Sequence, residues 1–446
     1  MIKKLSALLG GTGEENLLAK GSFHAFLIQG CGAALLLLTE AIAARLLGIT
    51  QFGIYAMVSA WIFVLALIAS LGFNQALLRF VPTYLAHEDW GGLRGIVRRA
   101  NLWVITAAVV LGIGGSLLLL SLQKCCVDPA ILPAFFIAFM IVPVLALSSL
   151  RQAVLRSLGS IAQALAPEWL LRPLIFIALL AGAAATLPSP LQASTALSFN
   201  LAATIAAFAM GAFWQHRAIS PHLRGYAPVY RDREWLSVAA PFLLIIGLSM
   251  ISSRIDVIML GMLSEIENVG IYSAASRVAD VVVFGLVSAN AIAAPMIARL
   301  HATGRHEELQ RIVRLAAKGI FLLTLPIALI LLIFGHQILG LFGQEFADGY
   351  PVLVILVCGQ LVNALAGPVS YLMTMTGHQN HAARIVSISA LMNLALNILL
   401  IPLWGMLGAA VANALSTATW NILMLRFVKK ELSIQSSAII FLDRQI

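Results

Sequence analysis

The feature that most constrains this chain is a succession of twelve long apolar stretches, each long enough to cross a bilayer as a helix. A membrane-spanning helix needs roughly 20 mostly apolar residues. The stretches occupy residues 24–47, 53–79, 101–122, 130–151, 161–183, 193–215, 236–262, 271–298, 315–335, 351–374, 383–402 and 405–426. The alternating pattern of a β-barrel is absent, which leaves helices as the spanning structure. The sequence therefore predicts an all-α polytopic membrane protein with twelve transmembrane helices.

The distribution of charge predicts the orientation of these spans. Only 11% of the residues are charged, against about 25% in soluble domains. If the N-terminus lies in the cytoplasm, the cytoplasmic loops hold fifteen Lys and Arg residues, whereas the outer loops hold Lys124 alone. Cytoplasmic loops of membrane proteins carry such an excess. The net charge of +9 thus indicates topology and an affinity for anionic membrane lipids, with no role in binding nucleic acid, and both termini are expected in the cytoplasm.

Two short motifs recur at matched places in the chain. GIYA at 53–56 is followed by IVRRA at 96–100, and GIYS at 270–273 is followed by IVRLA at 312–316. The pattern predicts two homologous six-helix bundles, residues 1–222 and residues 223–446. Six is an even number, so the two repeats run parallel and are expected to enclose a central cavity near the middle of the membrane.

Eight charged residues fall at membrane depth and are the first candidates for function. A charge at the centre of a spanning helix costs about 2.5–3.5 kcal/mol on insertion scales and is retained where it meets a partner or water. The eight residues are Glu40, Arg45, Glu168, Arg172, Arg254, Asp256, Arg277 and Asp280.

The spacing of these charges along their helices indicates which of them can pair with each other. Glu168 and Arg172 are four residues apart and predict an ion pair on one helix, for which a structural role is favoured. Arg277 and Asp280, three residues apart, also share a helix face. Arg254 and Asp256 point to nearly opposite sides of their helix, so at least one of them must meet another helix or a hydrated cavity.

The predicted topology places three arginines, Arg45, Arg254 and Arg277, in the outer half of the membrane. The guanidinium group matches phosphate oxygens in a bidentate way, so these residues are candidates for binding a diphosphate in the cavity. Extension of the side chain to the lipid headgroups is the alternative, most of all for Arg45. Four intramembrane asparagines are candidates either for the polar lining of the cavity or for hydrogen bonds between helices: Asn290, Asn363, Asn393 and Asn397.

The sequence lacks the motifs of ATP hydrolysis and of common hydrolases. It contains no G-x-x-x-x-G-K-[ST], no H-E-x-x-H and no G-x-S-x-G. A non-enzymatic protein without a metal or cofactor is expected. Coupling to a proton or a sodium gradient stays open, with Glu40, Asp256 and Asp280 as the cavity acids that would serve it.

Four motifs in order resemble one family of transporters. They are Leu47-Gly48 with Phe52-Gly53-Ile54-Tyr55, Leu71-Gly72-Phe73 with Arg79, the run Val269–Arg277, and Asn397–Pro402 with Gly405 and Gly408. The chain is similar along nearly its whole length to the oligosaccharide flippases of the multidrug/oligosaccharidyl-lipid/polysaccharide exporter (MOP) superfamily. Ser70 stands where members of that family often have an acid.

The resemblance implies a substrate and a mechanism. The substrate would be an undecaprenyl-diphosphate-linked oligosaccharide, moved by alternating access from the inner to the outer leaflet of the bacterial cytoplasmic (inner) membrane. The product would serve surface polysaccharide such as O-antigen or exopolysaccharide, with a polysaccharide polymerase and chain-length machinery as partners of a monomeric flippase. The rival interpretations are a cation-coupled drug exporter of the same superfamily and a membrane-embedded glycan polymerase or ligase.

Overall fold

The computed structural model describes residues 13–123, 129, 131–186, 190–223 and 225–437. Side chains are described at these positions except 13–26, 222, 244–252, 284–285, 287–292 and 294–295. The α-helices in chain order are α1 Gly13–Ala69, α2 Phe73–Ala86, α3 Trp90–Leu122, α4 Leu132–Ser157, α5 Ile161–Ala166, α6 Arg172–Thr186, α7 Ala193–Leu223, α8 Asp232–Leu263, α9 Ile266–Ala302, α10 His306–Gly340, α11 Tyr350–Ala366, α12 Val369–Met375, α13 Gln379–Trp404 and α14 Met406–Leu432. A π-helix, Pro167–Leu171, joins α5 to α6, and a 3₁₀-helix, Gln344–Gly349, precedes α11.

This architecture confirms the predicted all-α fold. The described part of the chain contains eight helices or joined helices that are long and apolar enough to cross a membrane. One of these, Leu27–Ala69, holds two predicted spans, which meet at Gly48 in a left-handed conformation (φ 71°). The three other predicted spans coincide with α8, α9 and α14.

Glycine breaks two of the predicted spans into shorter helices. Residues 53–79 are interrupted between α1 and α2 by Leu71 and Gly72, both at positive φ. Residues 351–374 are interrupted between α11 and α12 by Gly367 (φ 70°) followed by Pro368. Positive φ costs glycine nothing, and proline cannot continue a hydrogen-bonded helix, so both breaks follow from local sequence.

The chain forms two compact units that differ from the predicted halves. Unit 1 consists of residues 1–47 and 58–247, and unit 2 of residues 48–57 and 248–446. The halves 1–222 and 223–446 remain a prediction about the repeat, but packing does not follow that boundary. Residues 223–247 pack with the first half, and residues 48–57 pack with the second.

Contacts of the segment that leads into α8 explain why residues 223–247 belong to unit 1. The Val229 amide donates to the Gly91 carbonyl at 3.0 Å, and a side chain at Gly95 would overlap the Val229 carbonyl oxygen. The buried Trp235 indole donates to the Tyr84 hydroxyl at 2.9 Å. These contacts fix the start of α8, and the segment before it, on α2 and α3.

The two GIY motifs contact each other inside unit 2. A Cβ atom at Gly53 would overlap the Ile266 carbonyl oxygen, and a Cβ atom at Gly270 would lie 2.6 Å from the Ile49 carbonyl oxygen. Thr50 donates to the Glu267 carboxylate at 2.8 Å across a separation of 217 residues, which is also the separation of the two glycines. Reciprocal contacts between equivalent positions are what a two-fold relation produces, and they support the predicted repeat.

Candidate functional site

The first group of candidate residues lies in unit 2, where α8 and α9 carry two arginines and an aspartate. Arg254 on α8 and Arg277 on α9 are half-buried, and Asp280 is exposed one turn beyond Arg277. Arg277 and Asp280 lie three residues apart on α9 and share one face of that helix, and Arg254 lies on the preceding helix.

Asp256 has different neighbours. Its carboxylate is buried, with 3% of the residue exposed, and accepts hydrogen bonds from Asn413 Nδ2 at 2.6 Å, Asn397 Nδ2 at 2.8 Å and the Tyr272 hydroxyl at 3.0 Å. No arginine is among these partners in the described part of the chain. The prediction of an open cavity acid beside arginines is thus replaced by a carboxylate enclosed within unit 2.

Four helices build this Asp256 cluster, defined as Asp256, Tyr272, Asn393, Asn397 and Asn413. Tyr272 comes from the second GIY motif on α9, and the two asparagines on α13 are one turn apart, so that Asn397 Nδ2 also reaches Asn393 Oδ1 at 3.0 Å. The buried Asn397 Oδ1 has no hydrogen-bond partner among the described residues. The cluster offers one carboxylate and an amide oxygen that is not otherwise used.

Sequence reasoning missed Asn413 in this cluster. It lies in the run GAAVANAL of α14. An amide side chain within such an apolar run is the sequence feature that indicates a buried polar contact. Asn363 also belongs to a contact between helices: its amide donates to Gln360 at 3.3 Å, and its oxygen accepts from Asn421 at 3.2 Å. The side chain of Asn290 lies outside the described residues.

A second buried polar group lies in unit 1 and is called the Arg151 cluster: Arg151, Glu168, Arg172 and Asn200. The predicted ion pair forms, with Arg172 Nη1 at 3.5 Å from Glu168 Oε2, and Arg172 Nη2 also donates to Asn200 Oδ1 at 2.9 Å. Glu168 lies in the π-helix, a local widening that often marks functional positions.

Arg151 is the residue that sequence reasoning overlooked in unit 1. The span was predicted to end at residue 151, which made this arginine a helix-end charge, but α4 continues to Ser157. Arg151 is only 4% exposed, and its Nη1 donates to the Phe208 carbonyl at 2.6 Å. The apolar Ala153-Val154-Leu155 that follow it were the signal for a longer helix.

The two remaining candidates lie on α1 in unit 1. Glu40 is half-buried and Arg45 is exposed, three residues before Gly48. Neither contributes to the Asp256 cluster or to the Arg151 cluster as defined above.

Comparison with known proteins relates this architecture to polysaccharide synthesis and transport. Residues 18–301 match the family described as polysaccharide biosynthesis protein, and residues 241–399 match the MatE family. The chain is 27% identical over 184 residues to the probable low-salt glycan biosynthesis flippase Agl15 of Haloferax volcanii, a match that covers 41% of this chain and 39% of that protein. The chain thus spans about two-fifths of the length of the curated relative.

Solved structures show the same fold at low sequence identity. An inward-facing multidrug resistance MATE family transporter of the MOP superfamily superposes with a TM-score of 0.77 at 16% identity, over 90% of this chain and 94% of the other. The lipid II flippase MurJ in an inward closed conformation gives 0.71 at 15% identity, over 92% and 87%. The fold is therefore that of MOP-superfamily transporters. Because the matched region, residues 18–301, covers well over half of the chain, this protein belongs to the polysaccharide biosynthesis protein family.

Proposed function

We propose that this protein is a flippase that moves a lipid-linked oligosaccharide across the membrane. The family match over residues 18–301 carries the proposal, and the fold of a lipid II flippase supports it. Each unpaired hydroxyl taken into hydrocarbon costs about 2–7 kcal/mol, and an unpaired charge costs far more. A sugar diphosphate therefore needs a protein with a polar route, whereas its lipid tail can stay in the bilayer.

The finer proposal names the carrier and the direction. The cargo would be linked to undecaprenyl diphosphate and would move from the inner to the outer leaflet of a bacterial cytoplasmic membrane by alternating access. Surface polysaccharide of the O-antigen or exopolysaccharide kind would be the product, with a polymerase and chain-length machinery downstream. The archaeal relative supports the glycan flippase activity rather than this particular carrier.

Arg254 and Arg277 of unit 2 are the residues proposed to bind the diphosphate. The two arginines lie on consecutive helices of unit 2, α8 and α9, and both are half-buried. Arginine binds phosphate oxygens through a planar fork that lysine lacks. In this proposal Asp280 holds both arginines in place when the substrate is absent and gives way to the diphosphate when it binds.

Transport of a fluorescent lipid-linked oligosaccharide in proteoliposomes tests these roles. Arg254→Ala and Arg277→Ala are expected to abolish flipping, because each removes a charge-assisted contact to the diphosphate. The Lys variants should recover only part of the activity. Arg305→Ala is the matched control, because Arg305 is exposed and pairs with Glu308 at the start of α10. Wild-type flipping by both Ala variants would contradict the assignment.

The Asp256 cluster is proposed as the place where an ion gradient is coupled to transport. A buried carboxylate surrounded by side-chain amides, which can reorient, can bind either a proton or a sodium ion. In this cycle the ion is itself transported. The unpartnered Asn397 Oδ1 supports this assignment, because it is a second oxygen beside the carboxylate. Asp280 and Glu40 are the other acids at membrane depth that such coupling would use.

The MatE match over residues 241–399 favours a drug exporter as the second candidate. Cationic drugs call for a cavity dominated by acids and aromatic rings. With Arg151 included, the charges at membrane depth comprise five arginines and four acids, which suits an anionic cargo better. Drug susceptibility of a deletion strain separates the two functions, because only an exporter would change it.

A further inference from the structure

A pocket on unit 1 lies apart from the residues assigned to transport. It has a volume of about 470 Å³ and is walled by α3, α4 and α7. Pockets for small ligands commonly measure about 300–1,000 Å³. None of the residues that line it in the described part of the chain belongs to the Asp256 cluster or to the proposed diphosphate site.

The pocket has both polar and apolar walls, and Val97, Ile219 and Leu223 are among its apolar lining residues. Asn101 on α3 and Gln215 and His216 on α7 line the end nearer the basic start of α3 and the end of α7. Ile105 and Phe208 line the part nearer the middle of the same helices. A ligand that fits both parts has a polar head and an apolar chain.

The rim of the pocket belongs to the apolar surface that faces lipid. Ile105 is 42% exposed, and Phe213, beside the lining residue Ala212, is 58% exposed. Only 11% of the most apolar stretch of α3 is buried inside the protein. In a membrane protein such apolar surface lies against acyl chains, so a lipid can reach the pocket sideways from the bilayer.

Arg151 gives the pocket an excess of positive charge. Arg151 is a buried residue that lines the pocket. Its acidic neighbour Glu168 has Oε1 4.0 Å from Arg151 Nη2, and this oxygen accepts no hydrogen bond from the described residues. Glu168 is also the partner of Arg172. Two arginines therefore share one carboxylate in the Arg151 cluster, and none of the lining residues is acidic.

Three residues near Arg151 in space fix the position of its side chain. Gly211 on α7 leaves the space that the guanidinium occupies, because a side chain there would overlap Nε. The Phe208 ring lies 4.6 Å from the guanidinium carbon, and Ser148 accepts from Nη2 at 3.2 Å. The guanidinium is thus fixed in position before any ligand binds, which lowers the cost of binding.

We infer that this pocket binds the phosphate headgroup of an anionic membrane lipid, with Arg151 as the cation and the α3–α7 walls against the lipid chain. Basic pockets between membrane helices on the cytoplasmic side bind such headgroups. Exposed Arg98 and Arg217, each next in sequence to a lining residue, add positive charge to the helices that wall the pocket. This lipid is distinct from the flipped cargo and stays at the side of unit 1.

Native mass spectrometry of the full-length protein tests the inference with phosphatidylglycerol and phosphatidylcholine as probes. Wild-type protein should retain phosphatidylglycerol preferentially, and Arg151→Gln should reduce that retention about ten-fold, the loss expected for one charge-assisted hydrogen bond. Arg151→Lys should keep part of it. Arg156→Gln is the matched control, because it makes the same charge change on α4 at a residue that does not line the pocket.

A second variant covers the case in which Arg151→Gln fails to fold. Ala212→Phe fills the pocket while the Arg151 cluster is left intact, and it should also lose phosphatidylglycerol. Equal retention by Ala212→Phe and wild type would overturn the inference, as would displacement of the lipid by millimolar inorganic phosphate, which would make the site one for a free anion. Lipid retention is measured without glycan transport, so failure here is distinguishable from failure of the proposed flippase function.

Discussion

At the scale of single residues, hydrogen bonds from neighbouring side chains stabilise the buried carboxylate of Asp256. Asp256 accepts three hydrogen bonds from side chains of other helices. Hydrogen bonds to a charged group are worth about 1.5–3 kcal/mol each, so three of them offset much of the cost of burying one carboxylate. A group held this way is sensitive to any change in its charge.

The proposed coupling role makes a prediction for Asp256→Asn. An amide in place of the carboxylate removes the charge that a proton or sodium ion would neutralise, and it sets an NH₂ group against donors that need an acceptor. Flipping in proteoliposomes should therefore lose its stimulation by an imposed proton or sodium gradient.

The control for this variant is Asn421→Ala. Asn421 is a fully buried amide of the same unit that bonds to Asn363 instead of to Asp256, so its loss should lower stability but keep the response to a gradient. Gradient stimulation that is unchanged in Asp256→Asn would exclude this carboxylate as the coupling group.

At the scale of helices, close approach of backbones decides which residues are tolerated. The GIY motifs place Gly53 and Gly270 where each helix crosses a carbonyl of the other. Interfaces between membrane helices use small residues for this purpose, because association there depends on packing and hydrogen bonds. The repeated glycine is therefore required by the contact between the repeats.

Gly53→Ala is expected to destabilise the protein by about 1–3 kcal/mol, the usual cost of overpacking, because its methyl group overlaps the Ile266 carbonyl. The change would be measured as a lower melting temperature of the purified protein in detergent. Gly182→Ala on α6 is the control, since nothing lies within 4 Å of its added Cβ. Melting of Gly53→Ala at the wild-type temperature would show that the two motifs do not touch as described.

At the scale of the whole molecule, the repeats and the packing units divide the chain differently. Residues 48–57 belong to unit 2, and residues 223–247 belong to unit 1. Each half of the sequence thus contributes a segment to the unit formed mainly by the other half. Neither half is expected to fold completely when it is produced alone.

The distribution of charge predicts where the termini lie. Fluorescent protein fused to either end should fold and fluoresce in the cytoplasm, and alkaline phosphatase fused at the same positions should be inactive, because the basic loops stay inside. The matched fusion is alkaline phosphatase after residue 348, in the predicted outer loop that carries Glu345 and Asp348, where activity is expected. Active phosphatase at either terminus would reverse the predicted topology.

Local hydropathy predicts the fold class and the number and order of the spans, and the spacing of the motifs predicts the repeat. The Glu168–Arg172 pair was predictable for the same reason, because its residues lie four apart on one helical segment. Three features appear only in the folded chain: the helices that supply the partners of Asp256, the burial of Arg151 beside a pocket, and the packing of residues 223–247 within unit 1. Those contacts join residues far apart in the chain, such as Asp256 and Asn413, which are 157 positions apart, and helical periodicity alone cannot show which faces of distant helices meet.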